Sequence, residues 1–130
     1  MEDLCHYING ARVAGSSGRF ADVYNPATGE VQARVPLANG EEMAHAVAVA
    51  QAAQPKWAAM NPQRRARVLM AFVGLLHRDM DKLAEALSRE HGKTLPDAKG
   101  DVQRGLEVVE YCIGAPELLK GDYTTDAGPG

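Results

Sequence analysis

Apolar and polar residues alternate along the first forty positions, and from Asn39 to about Ile113 apolar residues recur at helical spacing instead. The chain therefore predicts short strands followed by helices. Ile8-Asn9-Gly10-Ala11 marks a tight hairpin, because Asn and Gly both accept the positive φ that a type I′ turn demands. A strand is expected over Phe20–Tyr24, closed by Asn25-Pro26, where the proline fixes its own φ and keeps Asn25 extended. Thr28-Gly29 completes that turn, and Val31 to Val35 reads as a half-buried strand that Pro36 ends.

Four helices are expected after Asn39. Asn39 with Glu42 three residues on resembles a capping box, and Glu41 and Glu42 suit the positive end of the helix dipole. Met43, Val47, Ala50 and Trp57 share one face of this first helix, which Pro55 should kink or restart. Asn61-Pro62 opens a second helix with cap and first-turn proline in the favoured order, and Leu69, Phe72, Leu76 and Met80 form its inward stripe. Arg64, Arg65 and Arg67 crowd its opening and read as a solvated face, with a partner site as the alternative. A third helix runs from about Asp81 to Glu90, Leu83 and Leu87 inward, with Gly92 as its stop. The fourth spans about Pro96 to Ile113, before Pro116 disrupts it.

That fourth helix has two apolar faces. Val102, Leu106, Val109 and Ile113 make one, while Arg104, Val108 and Tyr111 repeat at i, i+4, i+7 on nearly the opposite side. Gln103, Glu107 and Glu110 form the polar stripe between them. Such a helix is normally sandwiched between layers, so the second face is expected to meet protein beyond these residues. Arg104, beside Gly105, would then be placed to meet an anion; an exposed Arg104–Glu107 pair at i, i+3 is the plainer alternative.

Composition narrows the function classes. With 130 residues, 45% hydrophobic and 24% charged, the chain has the make-up of an ordinary globular protein. A net charge of −3 leaves no basic footprint for nucleic acid, and no apolar run is long enough for a membrane span. The acidic start Met1-Glu2-Asp3-Leu4 lacks the apolar stretch of a signal peptide, which favours the cytoplasm. Cys5 and Cys112 fit no metal or redox spacing, and Cys112, inside an apolar helical run, reads as a small buried hydrophobe. His6, His45, His77 and His91 are scattered, without zinc-ligand spacing. Gly92-Lys93-Thr94 imitates the end of a phosphate-binding loop, but Leu87 stands where its first glycine belongs.

Three segments carry a family resemblance. Tyr7-Ile8-Asn9-Gly10, Asn25-Pro26-Ala27-Thr28-Gly29-Glu30 and Glu90-His91-Gly92-Lys93 together resemble the amino-terminal part of aldehyde dehydrogenases. Arg64-Arg65-Ala66-Arg67-Val68, Gly100 to Glu107 and Leu118 to Tyr123 are similar, more narrowly, to the CoA-acylating methylmalonate-semialdehyde branch of that family. The resemblance implies an α+β fold: an N-terminal β-hairpin and short strands, then about four helices adjoining a Rossmann-like NAD domain. Within it, residues 1–38 would be the strand segment, 39–115 the helical segment and 116–130 an irregular tail, together an incomplete part of the cofactor-binding domain.

The resemblance further implies NAD-dependent oxidation of malonate or methylmalonate semialdehyde, with CoA capturing the acyl group and carbon dioxide lost. It implies that Arg104 receives the substrate carboxylate, a role a guanidinium fills with two parallel hydrogen bonds. The family's nucleophile, general base and NAD site have no counterpart in these residues, so the chain is expected to be inactive alone and to bind neither NAD nor CoA. Its expected partners are the remainder of the dehydrogenase or homologous subunits, in a homo-oligomeric complete enzyme, with no nucleic acid and no membrane. A non-enzymatic helical interaction module, and a subunit complementing a separate catalytic half, remain alternatives.

Overall fold

The computed structural model describes residues 2–122; Tyr123, which ends one of the motifs above, and Ala127-Gly128-Pro129-Gly130, expected as a loose end, lie outside the described residues. Strands come first: β1 (Glu2–Asp3), β2 (His6–Ile8), β3 (Ala11–Val13), β4 (Phe20–Tyr24) and β5 (Val31–Pro36). Helices follow: α1 (Gly40–Ala58), α2 (Pro62–Arg78), α3 (Met80–His91), α4 (Leu95–Ile113) and the short α5 (Ala115–Leu118). The expected α+β order holds. β2 and β3 pair antiparallel through Asn9 (φ 55°) and Gly10 (φ 75°), the two positive-φ positions that the Asn-Gly pair supplies.

A second sheet has the order β1-β5-β4, antiparallel between β4 and β5 and parallel between β1 and β5. β1 is not legible in the sequence, because two residues carry no periodicity. Arg34 supplies what holds it: its Nε and Nη2 donate to the two carboxylate oxygens of Asp3 at 3.0 and 3.1 Å, a planar fork. Nearby, Gly15 is held where any side chain would run into Pro36, its would-be Cβ standing 2.5 Å from the proline Cβ.

The chain enters α1 through the expected capping box. Asn39 Oδ1 accepts from the Glu42 N–H at 2.9 Å, and Glu42 Oε2 accepts from the Asn39 N–H at 2.9 Å. Glu42 Oε1 also accepts from the Ser16 N–H at 2.6 Å, tying the hairpin side to the helix start. These backbone donors, Ser16 foremost, hold the Glu42 carboxyl below its usual range.

Beyond its cap, α1 departs from expectation. No residue of it is buried, and Met43, Val47 and Trp57 are exposed. On the face expected to point inward, Trp57 borders an open hollow beside α2 and α4 and Met43 one beside β2, so that face is only partly covered among the described residues. Pro55 does not break it: the helix continues to Ala58, and the Ala59 N–H donates to the Pro55 carbonyl at 3.0 Å.

The core lies among α2, α3 and α4. Its buried members are Ala66, Ala84, Ala98 and Leu106, with Ala33 buried separately in the sheet. Small residues dominate because the three helices approach closely. Beside that contact Phe72 and Leu83 line an open groove with Leu76, Leu87 and Leu106, so they face inward as expected yet stay exposed for want of cover. Leu69, Leu76, Met80 and Leu87 are half-buried, in keeping with their spacing. Pro116 sits in the first turn of α5, so it starts a short helix after Gly114 rather than merely ending α4, and α5 crosses the expected boundary at 115/116.

Leu106 is the only large side chain fully buried among the described residues, against eighteen large apolar side chains that are exposed.

Candidate functional site

The two family-like motifs meet. Asn25 builds the turn Asn25–Glu30: its carbonyl accepts from the Gly29 N–H at 2.8 Å and its Oδ1 from the Ala27 N–H at 2.9 Å, with Gly29 at φ 74°. The Pro26 ring projected by this turn packs on Gly92, which ends α3 in the left-handed region at φ 79°. A Cβ at Gly92 would stand 3.0 Å from Pro26 Cγ. Gln32 Nε2 adds a long contact from β5 to the Arg89 carbonyl at 3.4 Å.

Gly92 in turn places Lys93. The Gly92 N–H donates to the Ser88 carbonyl at 2.8 Å, and Ser88 Oγ donates to the Lys93 carbonyl at 2.6 Å, so the chain leaves α3 along one path. Lys93 Nζ donates to Asp101 Oδ2 on α4, and Arg104 Nη1 donates to Asp101 Oδ1. Lys93 is 21% exposed, Asp101 33% and Arg104 73%. The ammonium of Lys93 holds the Asp101 carboxyl below the usual carboxylate range, against partial burial, with Arg104 and His91 adding favourable fields.

Arg104 therefore pairs with Asp101, one turn before it, and not with Glu107; Glu107 accepts from Gln103 Nε2 at 3.1 Å instead. Its face is as the spacing predicts. Val108 is 63% and Tyr111 70% exposed, so the second apolar side of α4 carries no cover within the described residues. On the core side of α4 an open groove of about 420 Å³ runs between α2, α3 and α4, lined by Phe72, Leu83, Val102, Leu106 and Val109 and edged by Asp101 and Gly105.

Three other sequence candidates resolve differently. Cys112 is exposed, not buried, because the hollow it borders is open, and Cys5 is exposed too. Arg64 and Arg67 are exposed as expected, but Arg65 is half-buried, with Nε shut from solvent and without a hydrogen-bond partner among the described residues. It borders a hollow of about 210 Å³ shared with Trp57, Leu69 and Cys112. Among the described residues no three His, Cys, Asp or Glu side chains cluster as metal ligands, and no helix is long and apolar enough to cross a membrane.

The larger sheet passes into the helices between β5 and α1. Between β5 and α1 the chain runs Leu37-Ala38-Asn39 rather than a glycine-rich turn. The helix start is already capped by Asn39 and carries Glu41 and Glu42, which would repel a pyrophosphate. Sequence reasoning misses Lys93 and Asp101 as site residues because they lie on opposite sides of a helix start, where spacing gives no sign of contact.

Comparison with known proteins places this geometry. A model of the aldehyde dehydrogenase family matches residues 13–129. The malonate-semialdehyde dehydrogenase of Pseudomonas aeruginosa is 48% identical over 129 residues, covering 99% of this chain and 26% of its own length. That of Listeria monocytogenes serotype 4b is 45% identical over 122 residues, covering 94% and 25%. A crystal structure from Sinorhizobium meliloti 1021, assigned as a methylmalonate-semialdehyde dehydrogenase and complexed with NAD, superposes with a TM-score of 0.92 at 62% identity, over all of this chain and 26% of the other. The methylmalonate-semialdehyde dehydrogenase of Oceanimonas doudoroffii gives 0.92 at 43% identity, also over 100% and 26%. The chain thus spans about a quarter of the length of the relatives it matches.

Proposed function

The chain belongs to the aldehyde dehydrogenase family, and from that premise we propose that its residues form the amino-terminal quarter of a CoA-acylating methylmalonate- or malonate-semialdehyde dehydrogenase. The overall reaction is oxidation of a semialdehyde that carries one carboxylate besides its aldehyde, NAD taking the hydride, CoA the acyl group, and that carboxylate leaving as carbon dioxide. These residues supply a wall of the substrate site and none of the reacting groups. Both cysteines are exposed and free, and NAD and CoA are held by the remainder of the enzyme. The same remainder, or homologous subunits in an oligomer, covers α1 and the outer face of α4.

One observation carries the reading. Arg104 stands on an apolar, uncovered helix face with Val108 and Tyr111, and only its Nη1 is engaged within the described residues. Once that face is covered, the guanidinium sits in an apolar enclosure, where its bond to a carboxylate strengthens. An aldehyde without a carboxylate makes no such contact, so Arg104 selects the semialdehyde.

The test is Arg104→Ala in a complete dehydrogenase. Such an enzyme can be made by placing residues 1–130 on the Sinorhizobium relative. Loss of a charge-assisted pair of about 1.5–3 kcal/mol predicts a roughly 10- to 100-fold fall in preference for malonate semialdehyde over propanal. An unchanged preference refutes the role.

A further inference from the structure

Asp101 raises a physical difficulty for any site that uses Arg104 to hold an anion. A carboxylate bonded to the guanidinium makes a neutral pair, and a neutral pair attracts a second carboxylate poorly. Lys93 removes the difficulty. Its ammonium bonds Asp101 Oδ2 while Arg104 Nη1 bonds Oδ1, so two cations share one anion and a single net positive charge remains. We propose that Lys93, Asp101 and Arg104 work as one unit, in which Asp101 orients the guanidinium and Lys93 offsets the charge of Asp101, leaving the Nε–Nη2 edge of Arg104 to take the substrate carboxylate. The inference rests on the carboxylate role of Arg104 proposed above.

The geometry is specific about which edge is left. A guanidinium offers five N–H donors, and Asp101 engages Nη1 alone. The Nε–Nη2 side has no acceptor among the described residues, and it matches a carboxylate with two parallel bonds. The three side chains are also graded in exposure. Lys93 is the most covered, Asp101 intermediate and Arg104 the most exposed. The two positioning groups are therefore set into the protein, and the binding group is presented outward. Lys93 reaches its place through Gly92 and Ser88, and Gly92 through Pro26. The unit thus gives the contact between the two motifs a function: it sets the charge beside α4.

The experiment uses the complete dehydrogenase described above and reads kcat and KM for malonate semialdehyde and for propanal. Lys93→Gln keeps a donor toward Asp101 but removes the charge. It should raise KM for the semialdehyde about five- to tenfold relative to propanal, with the change in KM rather than kcat. Lys93→Arg should retain the parent ratio. The double variant Lys93→Gln with Asp101→Asn restores one net positive charge and should recover most of the lost preference. A Lys93→Gln ratio like the parent's, an equal effect on both aldehydes, or no recovery in the double variant overturns the proposal. Arg104→Ala separates the two readings: if it abolishes the preference while Lys93→Gln does not, only the present inference fails, and if it leaves the preference intact, the carboxylate role fails as well.

Discussion

Pro26 and Gly92, sixty-six residues apart in the chain, pack so closely that a Cβ on Gly92 would lie 3.0 Å from Pro26 Cγ and 3.3 Å from its Cβ. The contact joins the strand segment to the end of α3, and Gly92 also needs its positive φ of 79°. Gly92→Ala should therefore lose stability twice over. The left-handed backbone costs a residue with a side chain roughly 1–2 kcal/mol, and the crowding against Pro26 adds to it. Urea unfolding of the complete enzyme measures the total, and adding Pro26→Ala, which removes Cγ but keeps Cβ, should return part of the crowding cost and none of the backbone cost. Full recovery would show that the left-handed conformation imposes no cost here.

The start of α1 depends on its cap, since no residue of the helix is buried. Asn39→Ala should cost about 1 kcal/mol and appear as faster hydrogen exchange at the amides of residues 41–43. Unchanged exchange there would mean that something other than Asn39 and Glu42 secures the helix start.

Acid should remove the charges of Asp101 and Glu42 only below the pH at which ordinary carboxyls protonate. Both carboxyls lie below their usual range in the folded chain, Asp101 chiefly through the hydrogen bond from Lys93 and Glu42 chiefly through the Ser16 N–H. A depressed carboxyl contributes stability that is full above its unfolded value, about 4, and is lost as the pH falls through the lower folded value. The groups facing Asp101 are Lys93, Arg104 and His91, all favouring its ionised form. Carboxyl NMR titration should place both midpoints below those of matched peptides, and Lys93→Gln should raise that of Asp101. A peptide-like midpoint for Asp101 would argue against the Lys93 bond.

Much of this architecture is legible in the residues themselves. Asn9-Gly10, Asn39 with Glu42, Asn61-Pro62 and Gly92 each specify a turn or helix end by local chemistry, and each stands where the sequence places it. What the sequence does not carry is the identity of the neighbour. Phe72 and Leu83 have the size and spacing of inward residues, yet the close approach of α2, α3 and α4 favours Ala66, Ala84 and Ala98 at the contact. The pairing of Lys93 with Asp101 is hidden for the same reason, as it depends on how α3 and α4 cross. The uncovered Arg104 face is legible, because an apolar repeat opposite the core shows in residue spacing alone.

Trp57, the only tryptophan of the chain, reports on cover directly. It is 42% exposed, at the open hollow that α1 shares with α2 and α4. In the chain labelled with 5-fluorotryptophan, its fluorine resonance should show a large solvent isotope shift, and lose most of it once the remaining three quarters of a relative are bound. A resonance already insensitive to solvent in the isolated chain would contradict that exposure.

The central claim is that these residues wall a reaction chamber whose reacting groups come from elsewhere, and complementation tests it most directly. The purified 130-residue chain is mixed with the remaining three quarters of the Sinorhizobium relative, and NAD reduction is followed with malonate semialdehyde and CoA. The account predicts no turnover from either part alone and turnover from the mixture, with Arg104→Ala in the chain removing the preference for the semialdehyde. Turnover by the chain alone, or by the other part without it, would contradict the account.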